Sequence, residues 1–137
     1  MNNDLYYMEQ AYKEALKAYK KDEIPIGVII VVDDKIIAKG HNLRDNTNIV
    51  TKHGEIIAIE KANKKKNNWR LPDATLYTTL EPCNMCSEVI KESKIKKVIY
   101  AAKRSKSKSR YKQINNKEII IKCSNLIKNK FKEIREK

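Results

Sequence analysis

The sequence predicts an α/β fold in which one sheet is covered by helices on both faces, and three observations carry that expectation. Runs rich in β-branched residues alternate with runs whose apolar residues recur every three or four positions. The chain has 137 residues, the size of one compact domain. No internal repeat or interdomain linker divides it, so residues 1–137 are expected to form a single domain.

In chain order, Asp4 to Lys21 places Leu5, Met8, Tyr12, Ala15, Leu16 and Tyr19 on one stripe of a helix, with Asp4 as a candidate N-cap. Gly27 to Val32 and Ile36 to Lys39, separated by Asp33-Asp34-Lys35, read as an antiparallel hairpin. Gly40 to Lys52 reads as a polar loop. A second helix is expected from about His53, on Ile56, Ile57, Ile59 and Ala62, stopping near the polar run Lys64 to Asn68. Ala74 to Thr79 alternates as a strand, and Pro82 can open a third helix to about Glu92, since proline is tolerated in a first helical turn. Lys97 to Ala101 is expected as the fourth strand and Glu118 to Lys122 as the fifth. Leu126, Ile127, Phe131 and Ile134 mark a closing helix.

Composition narrows the class. At 41% hydrophobic and 34% charged, with three Gly and three Pro, the chain suits a soluble globular protein rather than a disordered or fibrous one. Its longest apolar run, Ile24 to Val32, is interrupted by Pro25 and Gly27 and is far shorter than the roughly 18 residues of a membrane span. The N-terminus lacks a signal-peptide layout, so a cytoplasmic location is expected and the three cysteines are not expected to form disulfides.

The formal net charge is +13, and its distribution is uneven. Residues 1–90 hold thirteen basic and thirteen acidic side chains, whereas residues 91–137 hold seventeen and four. Lys103, Arg104, Lys106, Lys108, Arg110 and Lys112 fall within ten residues, with Tyr111 among them as a candidate for stacking on bases. Clustered cations are the footprint of a polyanion-binding surface, here a candidate nucleic-acid patch; a solvated face in a lysine-rich chain is the alternative.

Two short pieces carry chemistry: His53-Gly54-Glu55 and Pro82-Cys83-Asn84-Met85-Cys86. Cysteines three apart share one helical face, so Cys83 and Cys86 can reach one metal ion, and a helix N-terminus favours their thiolates. His53 from a second helix makes a third ligand. Three protein ligands leave a position for water, the catalytic pattern for zinc; a structural site would need a fourth ligand, for which Cys123 and His41 are the Cys or His candidates. Glu55 lies about 200° around the helix from His53, so it should flank the metal rather than ligate it. A carboxylate there can take a proton from water and pass it on as general acid–base.

H-x-E followed by P-C-x-x-C resembles the signature of the zinc nucleobase deaminases. The sequence resembles the cytidine deaminase superfamily over nearly its whole length, and within it the bacterial tRNA-specific adenosine deaminases. Glu23-Ile24-Pro25-Ile26-Gly27, Gly40-His41-Asn42-Leu43-Arg44, Trp69-Arg70-Leu71 and Thr75-Leu76-Tyr77-Thr78-Thr79-Leu80-Glu81-Pro82-Cys83 are similar to stretches of that family. The resemblance implies a three-layer α/β/α sandwich with a five-stranded mixed sheet, one zinc ion per subunit and a homodimer. It also implies a substrate, the wobble adenosine of tRNA, which becomes inosine. In that reading Asn42 hydrogen-bonds the flipped base and the chain near Ile26 walls the pocket.

The sequence also departs from the family. His53-Gly54-Glu55 follows Ile49-Val50-Thr51-Lys52 where the family has Asp-Pro-Thr-Ala before His-Ala-Glu, and H-G-E is similar to fungal cytosine deaminases. Ala101-Ala102-Lys103-Arg104 stands where the family has Gly-Ala-x-Asp, placing a cation where an acid is expected. The acidic-aromatic tail with which the fungal enzymes close over cytosine has no counterpart, and an open pocket suits a polymer. Three functions therefore stay open: deamination of adenosine in RNA, deamination of cytosine as a free base or in single strands, and a zinc-stabilised RNA-binding module. Glu55 speaks against the last, which would not need it.

Overall fold

A computed structural model describes residues 3–104 and 109–136. A five-stranded sheet has the order β2-β1-β3-β4-β5, formed by β1 (Gly27–Val32), β2 (Lys35–His41), β3 (Thr75–Leu80), β4 (Lys97–Ala102) and β5 (Lys112–Gln113). β1 is antiparallel to β2 and β3, while β3, β4 and β5 are mutually parallel. The C-terminal ends of β2, β3 and β4 therefore share one edge, the edge at which α/β sheets commonly bind ligands.

Both faces are covered, as the two apolar clusters show. Val28, Ile30 and Val32 of β1 point into one, with Ala58, Ile59 and Ala62 of α3 (Gly54–Lys66) and Ile90 of α4 (Asn84–Glu92). Ile29 and Val31 point into the other, with Tyr7, Met8 and Ala11 of α1 (Asp4–Lys20) and Ile119 and Cys123 of α5 (Lys117–Arg135). The alternation follows from the period of two along a strand and accounts for a β1 in which every residue is buried. The layers are thus α1 and α5, the sheet, then α3 and α4.

The hairpin between β1 and β2 turns on Asp33 and Asp34, with φ of 50° and 61°. Two successive left-handed residues match the twist of the flanking strands, so the loop is two residues long and Lys35 already belongs to β2.

α1 is rotated from the stripe expected of it. Its buried residues are Tyr7, Met8, Ala11, Glu14, Ala15 and Ala18, while Leu5 is exposed. The small alanines let the helix backbone rest on the sheet: a Cβ on Gly27 would lie 1.9 Å from the Ala11 carbonyl oxygen. Tyr12 and Tyr19 roll aside toward α5, where Lys122 and Lys130 sit over their rings. Asn3, not Asp4, occupies the N-cap position, and Asp4 accepts a hydrogen bond from Tyr77 Oη at 2.6 Å.

Two further expectations are corrected. Glu118 to Lys122 is not the fifth strand but the first turns of α5. Asn116 caps that helix by accepting from Ile119 N at 3.0 Å, and Ile119, Cys123, Ile127 and Lys130 recur on its buried face. The run of three isoleucines reads locally as a strand, but the sheet edge is already taken by Lys112 and Gln113. The polar loop from Gly40 to Lys52 also contains a short helix, α2 (Arg44–Thr47).

No helix among the described residues is long and apolar enough to cross a membrane.

Candidate metal centre and substrate pocket

His53 is the N-cap residue of α3 and Cys83 that of α4, both in extended backbone, so the two helices begin side by side at the C-terminal edge of the sheet. The His53 Nδ1 atom lies 3.8 Å from Cys83 Sγ and 3.5 Å from Cys86 Sγ. Nitrogen and sulfur ligands held tetrahedrally by one zinc stand about 3.6 Å apart, from bonds of about 2.1 and 2.3 Å. The three donor atoms, all within 4.8 Å of one another, therefore fit that ion. Burial, then Arg44 and Arg104, lower the His53 pKa and favour the neutral imidazole that ligates. Two sulfurs and a neutral imidazole are a donor set suited to zinc.

The candidates for a fourth protein ligand are engaged elsewhere. The His41 ring is bracketed by Glu14 Oε1 at 3.0 Å from Nδ1 and by Lys21 Nζ at 2.9 Å from Nε2. Cys123 belongs to the α1–α5 core, where burial pushes its thiol up to about 12. It sits inside a helix rather than at a strand end, and it packs as a small hydrophobe.

Glu55, in the first turn of α3, is 2% exposed. Burial raises its carboxyl above the ordinary range, against the lowering pull of its own backbone N–H, Arg104 and the Cys86 thiol. It lines the same cavity of about 640 Å³ as His53 and Cys83. A buried carboxyl of raised pKa on the wall of the same cavity as His53 and Cys83 holds a proton more readily than an exposed glutamate, as a general acid–base requires.

The cavity wall is composite. Ile24, Ile26 and Asn42 line one side. Asn42 is buried: its Oδ1 accepts from Arg44 N at 3.1 Å, and its Nδ2 donates to the Ile24 carbonyl at 3.4 Å. An amide has two donor hydrogens and two acceptor lone pairs, so it retains capacity to meet a base. Lys103 and Arg104 lie at the mouth, with Arg104 N donating to Glu81 Oε1 and its Nε to the Glu81 carbonyl.

The rest of the basic segment does not share that position. Lys112 faces a second cavity with Asp33, Asp34 and Asp73, away from the metal centre. Tyr111 is half-buried against the α3–α4 core, with Arg110 over its ring. Lys106 and Lys108 lie outside the described residues.

Sequence reasoning missed part of the wall. Ser124, Ile127, Lys128 and Phe131 line the cavity from α5, and Arg44 lines it from α2. The spacing i, i+3, i+4, i+7 could have found the α5 face had the helix been extended back to Lys117. Nor was the role of Glu23 legible. Its fully buried carboxylate accepts from Asp45 N at 3.1 Å and from Asn46 N and Nδ2, each at 2.6 Å. It thus caps α2 in place of Leu43, which has no acceptor at the N-cap.

Gly54 separates His53 from Glu55. A Cβ there would stand 3.1 Å from Val28 Cγ2 and 3.2 Å from His41 Cα. The missing methyl would point toward Val28 and His41, while Gly54 itself lines the cavity.

Residues 1–102 match the family model described as the cytidine and deoxycytidylate deaminase zinc-binding region. Over 106 residues, 77% of this chain, the sequence is 47% identical to a tRNA-specific adenosine deaminase of Streptococcus pyogenes. The match covers 67% of that relative, and 62% of others of that name from the same species. A solved structure from work on A-to-I editing by tRNA:A34 deaminases at the wobble position superposes with a TM-score of 0.71 at 39% identity. It covers 74% of this chain and 78% of its own. A guanine deaminase of Bacillus subtilis superposes with a TM-score of 0.70 at 38% identity, covering 75% of this chain and 66% of its own.

Proposed function

Since the chain belongs to the cytidine and deoxycytidylate deaminase family, matched over residues 1–102, we propose that it is a zinc-dependent hydrolytic deaminase converting the wobble adenosine of tRNA to inosine. The observation that carries the substrate is the 47% identity to a tRNA-specific adenosine deaminase. The proposal includes a single deaminase domain over residues 1–137, a homodimer and a cytoplasmic location.

His53, Cys83 and Cys86 would hold the zinc, which when bound would supply Lewis acidity and lower the pKa of water. Glu55 is the catalytic residue: its carboxylate takes a proton from the attacking water and delivers it to the ring nitrogen next to the reacting carbon. A second transfer through Glu55 protonates the exocyclic amine. The new carbon–oxygen bond replaces the carbon–nitrogen bond, so adenosine and water yield inosine and ammonia. Burial of Glu55 serves this cycle, because a carboxyl deprived of water gives up its proton only to the groups within the cavity. Asn42 orients the base, and Ile24 and Ile26 pack against it. Lys103 and Arg104, at the mouth of the cavity, form the RNA-facing patch beside the base. RNA loops offer bases that unstack at low cost.

A second reading, a free-base deaminase, is favoured by the guanine deaminase at 38% identity. Mass spectrometry of products decides between them, after incubation with a tRNA carrying a wobble adenosine and, separately, with guanine and with cytosine. Inosine in the tRNA is expected. Xanthine or uracil without inosine would refute the proposal.

A further inference from the structure

The cavity presents an imbalance. Arg44, Arg104 and Lys128 line it against two acids, Asp45 and Glu55, and Glu55 is buried. A nucleobase is neutral, so this charge answers something the base is attached to. The two arginines also enter from different places. Arg44 follows the end of β2 and Arg104 the end of β4, with β1 and β3 between them. At the spacing of paired strands, those ends are about 14 Å apart. Each guanidinium is docked through Nε, to Asp45 Oδ1 at 3.2 Å for Arg44 and to the Glu81 carbonyl at 3.1 Å for Arg104. A guanidinium has five N–H donors, so each contact leaves the forked Nη edge for an oxyanion.

Arg44 sits on an α2 tethered from beneath. The Glu23 carboxylate holds the backbone of the next two residues, and Asn42 Oδ1 accepts from Arg44 N. The fully buried Glu23 side chain thus anchors the backbone of an exposed four-residue helix and sets the point from which the Arg44 side chain departs.

We infer that Arg44, positioned by Glu23, binds the phosphate on one side of the target nucleotide while Arg104 binds the phosphate on the other. The site would then select a base carried inside a phosphodiester chain over a free base or nucleoside. This rests on the RNA reading above and adds to it a specificity-determining residue, Arg44, and a positioning residue, Glu23.

The test measures kcat/KM on an RNA stem-loop containing the target adenosine across a salt series, for wild type, Arg44→Gln, Arg104→Gln and, as a control on the outer face of α1, Lys13→Gln. One phosphate contact on a single strand contributes a slope of about 0.7 in log rate against log salt. Arg44→Gln and Arg104→Gln should each flatten the slope by about that amount, chiefly through KM, and Lys13→Gln should leave it unchanged. Neutral methylphosphonate linkages placed 5′ or 3′ of the target should each slow wild type. Arg44→Gln should be indifferent to one of them and Arg104→Gln to the other. Glu23→Gln should reproduce Arg44→Gln and add nothing to it in the double variant. Asn46→Ala, which cuts the tether at its exposed end, should give a partial effect in a fully folded protein. If wild type makes inosine in RNA while Arg44→Gln keeps the wild-type slope and linkage sensitivity, the inference fails and the RNA reading stands. Wild-type slopes and KM values for both Glu23→Gln and Asn46→Ala would overturn the positioning role. A wild type that deaminates only free bases would overturn both readings.

Discussion

Replacing Glu14 by Gln should cost stability in a way that depends on pH. Glu14 is 4% exposed and accepts from Lys17 Nζ at 2.6 Å, and its Oε1 lies 3.0 Å from His41 Nδ1. Burial alone would raise its carboxyl, but hydrogen bonds from His41 and Lys17 outweigh it and hold the group down at about 2, against an ordinary 4.5. A depression of that size corresponds to about 3 kcal/mol favouring the folded state. Lys17 is 57% exposed and partly screened by solvent, so about 2–3 kcal/mol is expected. The folded-state value lies below the unfolded one, so this contribution is complete above about pH 5 and fades as pH falls from 4.5 toward 2. Urea unfolding of wild type and Glu14→Gln between pH 3 and pH 7 measures it. The gap should be widest at neutral pH, where it would lower the melting temperature by roughly 10 °C, and should narrow steadily in acid. A gap that stays constant with pH, or a Glu14 carboxyl titrating near 4.5 by NMR, would refute the reasoning.

Glu55→Gln should keep its zinc and lose about 10²–10⁴-fold in kcat, read by steady-state kinetics alongside metal analysis. Cys83→Ala should purify without stoichiometric zinc, whereas retention of a full equivalent would mean that the three donors are not the metal site. Asn116→Ala should destabilise the protein by about 1 kcal/mol through loss of the α5 cap, measured by chemical denaturation. No effect there would contradict a helix starting at Lys117.

Much of the metal centre was legible because its information is local. Cys83 and Cys86 lie one helical turn apart, and the residue types around them mark a strand running into a helix start. The meeting of His53 with that pair is a tertiary fact, yet the parallel strand ends that produce it were foreshadowed by alternating strand and helix patterns. What the sequence concealed was of two kinds. Ile119, Ile120 and Ile121 have strand-like side chains, and only a cap at Asn116 together with an occupied sheet edge makes them helical. Glu23 looks like an ordinary surface acid, and its burial depends on a loop more than twenty residues later folding over it. The α1 stripe was misplaced by about a residue because the close approach of Gly27 to Ala11 and Ala15 sets which side of the helix meets the sheet.

The C-terminal helix behaves as a cantilever. Its first half is clamped by Ile119 and Cys123 in the core, and Lys130 reaches back to Asp22 and the Tyr19 ring. The buried Ile127 and the more exposed Phe131 and Ile134 line the cavity from the same helix. Residues that anchor the helix and residues that line the cavity thus alternate along one element, and all of them lie outside the segment matched by the family model. A lineage or a designer could reshape the cavity at the exposed Phe131 and Ile134 while leaving the zinc ligands and the buried residues of the helix as they are.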